Sequence, residues 1–118
     1  MVSYPKNREW LALTVEEPLE PDRPICDPHH HLWDGETARV APRYLLDEIV
    51  ADARSGHHVV STVFIECGAM LKPDGPEPFR AVGETEFVNG IAAMSASGLY
   101  GPIRVAAGIV GTAPLRLG

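Results

Sequence analysis

Cysteine is scarce: Cys26 and Cys67 are the only two in 118 residues, too few for a disulfide scaffold and too far apart for a CxxC metal site. Both are expected to be reduced and packed, with a contact between neighbouring strands and a share in a metal site ranked below simple burial. No apolar run approaches the roughly 18–20 residues that a membrane helix requires. The opening residues Met1 to Trp10 carry no signal-peptide hydrophobic segment, so a cytoplasmic protein that does not enter the membrane is expected. Basic residues are also short, with 10 Lys and Arg against 16 Asp and Glu and a net charge of -6. Nucleic acid would need a basic face that this balance does not supply, which leaves a small-molecule substrate as the expected partner.

Hydrophobic residues at 45% and charged residues at 22% exclude a disordered or fibrous chain. The length suits one small domain that buries about two thirds of its unfolded surface. Residues 1–24 hold Pro5, Pro18, Pro21 and Pro24 and no sustained period, so they read as an irregular arm, with Trp10, Leu11 and Leu13 pinning it to a surface. A short strand follows from Pro24 to His29. Pro42 then opens a helix over 43–55, in which Leu45, Ile49 and Ala53 stack, Leu46 and Val50 widen the stripe, and Gly56 is the stop.

The β-branched run His58 to Glu66 is a strand, with Thr62, Phe64 and Glu66 on one face and Val63 and Ile65 on the other. After a Pro and Gly loop over 69–83, residues 84–96 have helical spacing at Phe87, Ile91 and Met94, with Val88 and Ala92 beside them and Gly98 as the stop. Glu84 and Glu86 lie in its first turn, where negative charge suits the helix dipole. A last strand covers 103–110. Alternating strands and helices predict a parallel sheet with right-handed crossovers, and such folds gather functional groups at the C-terminal ends of their strands.

One such end carries the most informative string in the chain, Asp27-Pro28-His29-His30-His31-Leu32-Trp33-Asp34. In an extended strand alternate side chains share a face, so Asp27, His29 and His31 are expected on one side and Pro28 and His30 on the other. Neutral imidazole nitrogens bind zinc and related ions at about 2.0–2.1 Å, which makes His29 and His31 candidate ligands of one divalent cation. The plain alternative is a polar strand end whose histidines face water. Two readings stay open for Asp27, orienting an imidazole by a hydrogen bond or capping the strand turn. Glu66, taken to lie on the inner face at the end of the second strand, is either a group beside the metal or substrate, or a solvated carboxylate. His30 is expected to be structural, Trp33 to pack or wall the pocket, and His57 and His58 to lie on the surface at the opposite end.

The stretch Ile25 to Asp34 resembles the start of the amidohydrolase-related metal-dependent hydrolases with a TIM-barrel fold. Trp10 to Glu17, Thr62 to Gly68, Gly83 to Gly90 and Gly108 to Thr112 look like that group as well; only the HxH pair is specific. The resemblance implies an α/β fold, a partial (β/α)8 TIM barrel made of about strands 1 to 3 with their helices. Residues 1–118 would be the N-terminal part of one barrel domain, with 1–24 the arm and 25–118 a β-α-β-α-β unit. It implies that His29 and His31 bind a divalent ion, zinc foremost with manganese or iron as the other candidates, and that the remaining ligands and a water-activating aspartate come from later strands.

A full barrel takes roughly 250 residues, so the chain is expected to be a portion of a larger enzyme and inactive alone. The implied reaction is hydrolysis of an amide, lactone or related ester by metal-activated water, in a full-length protein open to homo-oligomer formation. Two alternatives stand beside it: a metal-dependent decarboxylase of the same superfamily, and a non-catalytic piece or subunit that needs a complementing partner. Relatives often carry His-Ala-Asp-Leu where this chain has Thr112-Ala113-Pro114-Leu115, which removes a carboxylate from the turn after the third strand.

Overall fold

The structure, a computed structural model, describes residues 8–35 and 43–117. Residues 1–7 of the arm and Pro42, the expected helix opener, lie outside that range. In chain order the elements are α1 (Arg8–Leu11), β1 (Pro24–His30), β2 (Trp33–Asp34), β3 (Arg43–Tyr44), α2 (Leu46–Ala53), β4 (His58–Ile65), α3 (Val82–Ala96) and β5 (Arg104–Val110), with short 3-10 turns at Glu77–Phe79 and Leu115–Leu117. Strands β1, β4 and β5 form a parallel sheet in that order, and β2 pairs antiparallel with β3. This is a mixed α/β architecture without a closed barrel among the described residues. None of the described helices is long and apolar enough to cross a membrane.

Both long helices lie over one face of the sheet. Leu46, Ile49 and Val50 of α2, Val88 and Ile91 of α3, and Phe64, Val105 and Ala106 of the strands form a single buried cluster with Leu32 and Ile103. Burial of a side chain the size of Phe64 stabilises by about 3 kcal/mol. Helix α2 begins later than expected because Arg43 and Tyr44 pair with Asp34 and Trp33 instead. Its first turn is closed by Glu48, whose Oε2 accepts the Leu45 N–H at 2.8 Å, with Asp47 adding negative charge near the N-terminus.

On α3 the buried stripe is Glu84, Val88, Ile91 and Ser95; it shares Val88 and Ile91 with the expected face, Phe87 and Ala92 pack partly buried beside it, and Met94 is exposed. Ser95 joins helix to sheet: its hydroxyl donates to the Ile103 carbonyl at 2.8 Å and accepts the Val105 N–H at 2.9 Å. The arm departs from expectation too, since Trp10 and Leu13 are exposed rather than pinned. Both cysteines are free and exposed, not buried.

Register shifts in both strand pairings break strict alternation. In β1, Asp27 pairs with Thr62 and His30 with Phe64, so three steps along β1 match two along β4. In β5, Arg104 and Gly108 pair with Ser61 and Val63, so four steps match two. The second bulge places Ala106 at φ 51°, a conformation costly for a residue with a Cβ. The Thr62 hydroxyl accepts the Ala106 N–H at 2.9 Å and satisfies the donor that the bulge removes from the ladder.

Candidate metal centre

The bulge in β1 decides which side chains meet. Parallel-paired residues share a face, so the register aligns Asp27 and His30 with Thr62 and Phe64, the side covered by helices. His30 is buried with its ring edge-on to Phe64, the centroids 5.8 Å apart. Both of its ring nitrogens are buried without a hydrogen-bond partner among the described residues, and burial lowers its pKa below the ordinary histidine value.

His29 and His31 emerge together on the other side, with their Nε2 atoms 3.2 Å apart and their rings at 89°. That spacing fits a shared ion. Two nitrogens 3.2 Å apart, each about 2.0–2.1 Å from one centre, subtend roughly 100–105°, close to the tetrahedral angle that zinc adopts.

The tautomers follow from the neighbours. His31 Nδ1 lies 2.8 Å from the Ile65 carbonyl at the end of β4. A carbonyl only accepts, so Nδ1 carries the hydrogen and Nε2 presents its lone pair outward. His29 Nε2 then carries the hydrogen that it donates to His31 Nε2. To serve as a ligand, His29 holds that proton on Nδ1 instead. One ring is therefore held by the backbone with its Nε2 unprotonated, and the other is one tautomeric step from the same state.

The remaining residues singled out from the sequence are placed as follows. Asp27 Oδ1 accepts the backbone N–H of His29 at 3.1 Å, closing the turn at the bulge; its register with Thr62 sets it apart from the face expected for it. Glu66 is exposed just past β4, and its N–H donates to the Val110 carbonyl at 2.9 Å. The face assigned to it was that of Thr62 and Phe64, which the helices cover, so strand parity does not bring it to the two histidines. Trp33 stacks on Tyr44 with centroids 5.4 Å apart. Tyr44 donates to Asp52 Oδ2 at 2.8 Å, and burial, then that bond, push its pKa up. His57 and His58 are exposed at the N-terminal end of β4, where His58 Nδ1 sits 3.2 Å from the Asp22 carbonyl. Among the described residues no group of three or more His, Cys, Asp or Glu is placed to hold a metal, so Cys26 and Cys67 add no third ligand.

One residue escaped the sequence reading. Glu84 is buried, and its Oε1 accepts the N–H groups of Cys67 at 3.0 Å and Ala69 at 2.8 Å. The Cys67 thiol lies 3.4 Å from the same oxygen and 3.5 Å from the Leu32 carbonyl; although the residue is exposed, partial desolvation on this side raises the thiol's pKa. A signal existed, because Glu84 falls four and seven residues before Val88 and Ile91 on one helical stripe. Beyond β5, Thr112 to Leu115 join Pro78, Phe79 and Val82 around an apolar cleft of about 550 Å³. No family model matches the chain, and neither a curated protein nor a solved structure shows significant similarity to it.

Proposed function

We propose that this chain is the opening β-α-β-α-β part of a barrel-type, metal-dependent hydrolase, in which His29 and His31 bind one divalent cation and the substrate is a small molecule with an amide, lactone or related ester bond. The observation that carries the reading is the pair of Nε2 atoms 3.2 Å apart at the C-terminal end of β1. The sheet supports it: strands run parallel in chain order with both helices on one face, as in the first third of a (β/α)8 barrel. A parallel sheet is normally covered on both faces, and the side bearing the two histidines has no helix among the described residues.

A divalent ion bound there supplies Lewis acidity toward the carbonyl and makes water a nucleophile near neutral pH. The chain's own residues do the holding. His31 keeps its proton at Nδ1 against Ile65, and His29 moves its proton to Nδ1 to free Nε2. Two imidazoles leave at least two coordination positions for other groups, so residues 1–118 alone are expected to bind metal weakly and to turn nothing over. Zinc is the foremost candidate, with manganese and iron as the others.

The test is a titration with Zn²⁺ and Co²⁺, read by competition with a chromophoric chelator and by the visible spectrum of the cobalt form. Saturable binding at one ion per chain, abolished in both His29→Ala and His31→Ala, is the expected result. Binding that survives both substitutions refutes the assignment.

A further inference from the structure

We propose that Glu84 is a positioning residue for this two-histidine site, acting through the turn Cys67–Ala69 on the group that orients His31. The proposal rests on the metal reading above for its effect on affinity, and on the hydrogen-bond geometry alone for its effect on the ring.

The connection is continuous. Glu84 Oε1 gathers the N–H donors of Cys67 and Ala69 and faces the Cys67 thiol, so one buried oxygen pins the turn directly after β4. Taking a carboxylate out of water is costly without such donors, and here they all come from a single three-residue turn. Two residues before Cys67 is Ile65, whose carbonyl holds His31 Nδ1 at 2.8 Å. The Cys67 thiol has one hydrogen, and besides Glu84 it faces the carbonyl of Leu32, the residue following His31. The turn thus reaches His31 only through its neighbours: it follows Ile65, which holds the ring, and its thiol meets the carbonyl of Leu32, the next residue in the chain. If the turn shifts, the Ile65 carbonyl shifts, and His31 loses the acceptor that keeps its proton on Nδ1. Groups that orient a metal-binding histidine typically change metal affinity by 10–100-fold when removed.

A carboxylate that merely satisfied two orphan N–H groups would alter stability and leave the ring alone. The experiment therefore reads the His31 tautomer in the metal-free protein by nitrogen-15 correlation of the imidazole, alongside Co²⁺ affinity, in Glu84→Ala, Glu84→Asp and Glu84→Gln. Glu84→Asp retains the charge and shortens the reach by one carbon. Glu84→Gln retains an acceptor oxygen at full reach. The expected result is a His31 ring that leaves the Nδ1–H form in Ala and Asp, with Co²⁺ affinity about 10-fold weaker, and recovery of both in Gln. Should Glu84→Ala fail to fold, Glu84→Asp carries the reading. A wild-type tautomer and wild-type affinity in folded Glu84→Asp or Glu84→Ala overturn the proposal. If wild-type protein binds no Co²⁺ yet the tautomer moves as described, the metal reading fails and the positioning of His31 stands.

Discussion

Replacing Gly83 by alanine should destabilise the protein, although glycine-to-alanine changes inside helices usually do the opposite. Gly83 lies in the first turn of α3, and a Cβ there would sit 2.6 Å from the Met70 carbonyl oxygen and 2.9 Å from the Lys72 nitrogen. Both are backbone atoms, which cannot swing aside as a side-chain tip does. The helix-propensity gain is about 0.8–1.0 kcal/mol. Against it stand about 1–3 kcal/mol for forcing a packed contact apart and about 1 kcal/mol if the Lys72 N–H loses the Arg80 carbonyl it reaches at 2.9 Å. The clash wins, by roughly 1–3 kcal/mol.

Gly90 in the same helix is the internal control. A Cβ there meets nothing within 4 Å, so Gly90→Ala should stabilise by the propensity term alone, about 0.8–1.0 kcal/mol. Thermal unfolding followed by circular dichroism should raise Tm by about 3–5 °C in Gly90→Ala and lower it by roughly 5–10 °C in Gly83→Ala. Amide exchange at Lys72 should quicken in the second variant only. If Gly83→Ala matches Gly90→Ala in sign, the close approach of α3 to the 70–72 loop is wrong.

Thr62→Val removes the buried acceptor of the Ala106 N–H at nearly constant volume and should cost about 1–3 kcal/mol, whereas Thr62→Ser keeps the acceptor and loses one methyl, about 0.8 kcal/mol. Urea unfolding that ranks Ser below Val would contradict the role given to the hydroxyl in the β5 bulge. Gly101 has φ 104° and its missing Cβ would run into the Arg54 guanidinium, which donates to the Tyr100 carbonyl at 2.8 Å. Gly101→Ala should therefore destabilise by more than about 1 kcal/mol, and an unchanged Tm would argue against that contact. Tyr44 keeps its proton in the folded state above its ordinary value of 10.0 because burial and Asp52 favour the neutral phenol. Its contribution is complete below pH 10.0 and is lost as pH rises through the higher folded value. Stability measured on either side of pH 10.0 should fall less in Tyr44→Phe than in wild type; equal losses would place Tyr44 in water.

Much of the architecture is legible in the residues. The β-branched run at 58–65, the apolar spacing at 46–50 and the glycines at 56 and 98 mark elements whose causes are local, and the structure has strands and helices there. The sides of those elements were harder to read. Period-two counting groups Asp27 with His29 and His31, but the bulge against β4 reverses the parity, because register belongs to a pair of strands and not to one. Glu84 reads from the sequence only as a charge suited to the helix dipole, since the turn that needs its carboxylate lies 15 and 17 residues away in the chain. Cys26 and Cys67 are expected to be packed, yet both are exposed, Cys26 on β1 and Cys67 in the turn past β4.

The sequence by itself determined the order of the three parallel strands and the two long helices and the HxH pair at the end of the first strand, because periodicity and residue chemistry are properties of short stretches. Tertiary structure alone decided that the two imidazole nitrogens stand 3.2 Å apart, that the Ile65 carbonyl selects the tautomer of His31, and that a buried Glu84 anchors the turn behind them. Each of these depends on partners brought together across the sheet. His31 and Ile65 stand 34 positions apart, and nothing in that stretch announces their contact until β1 and β4 pair.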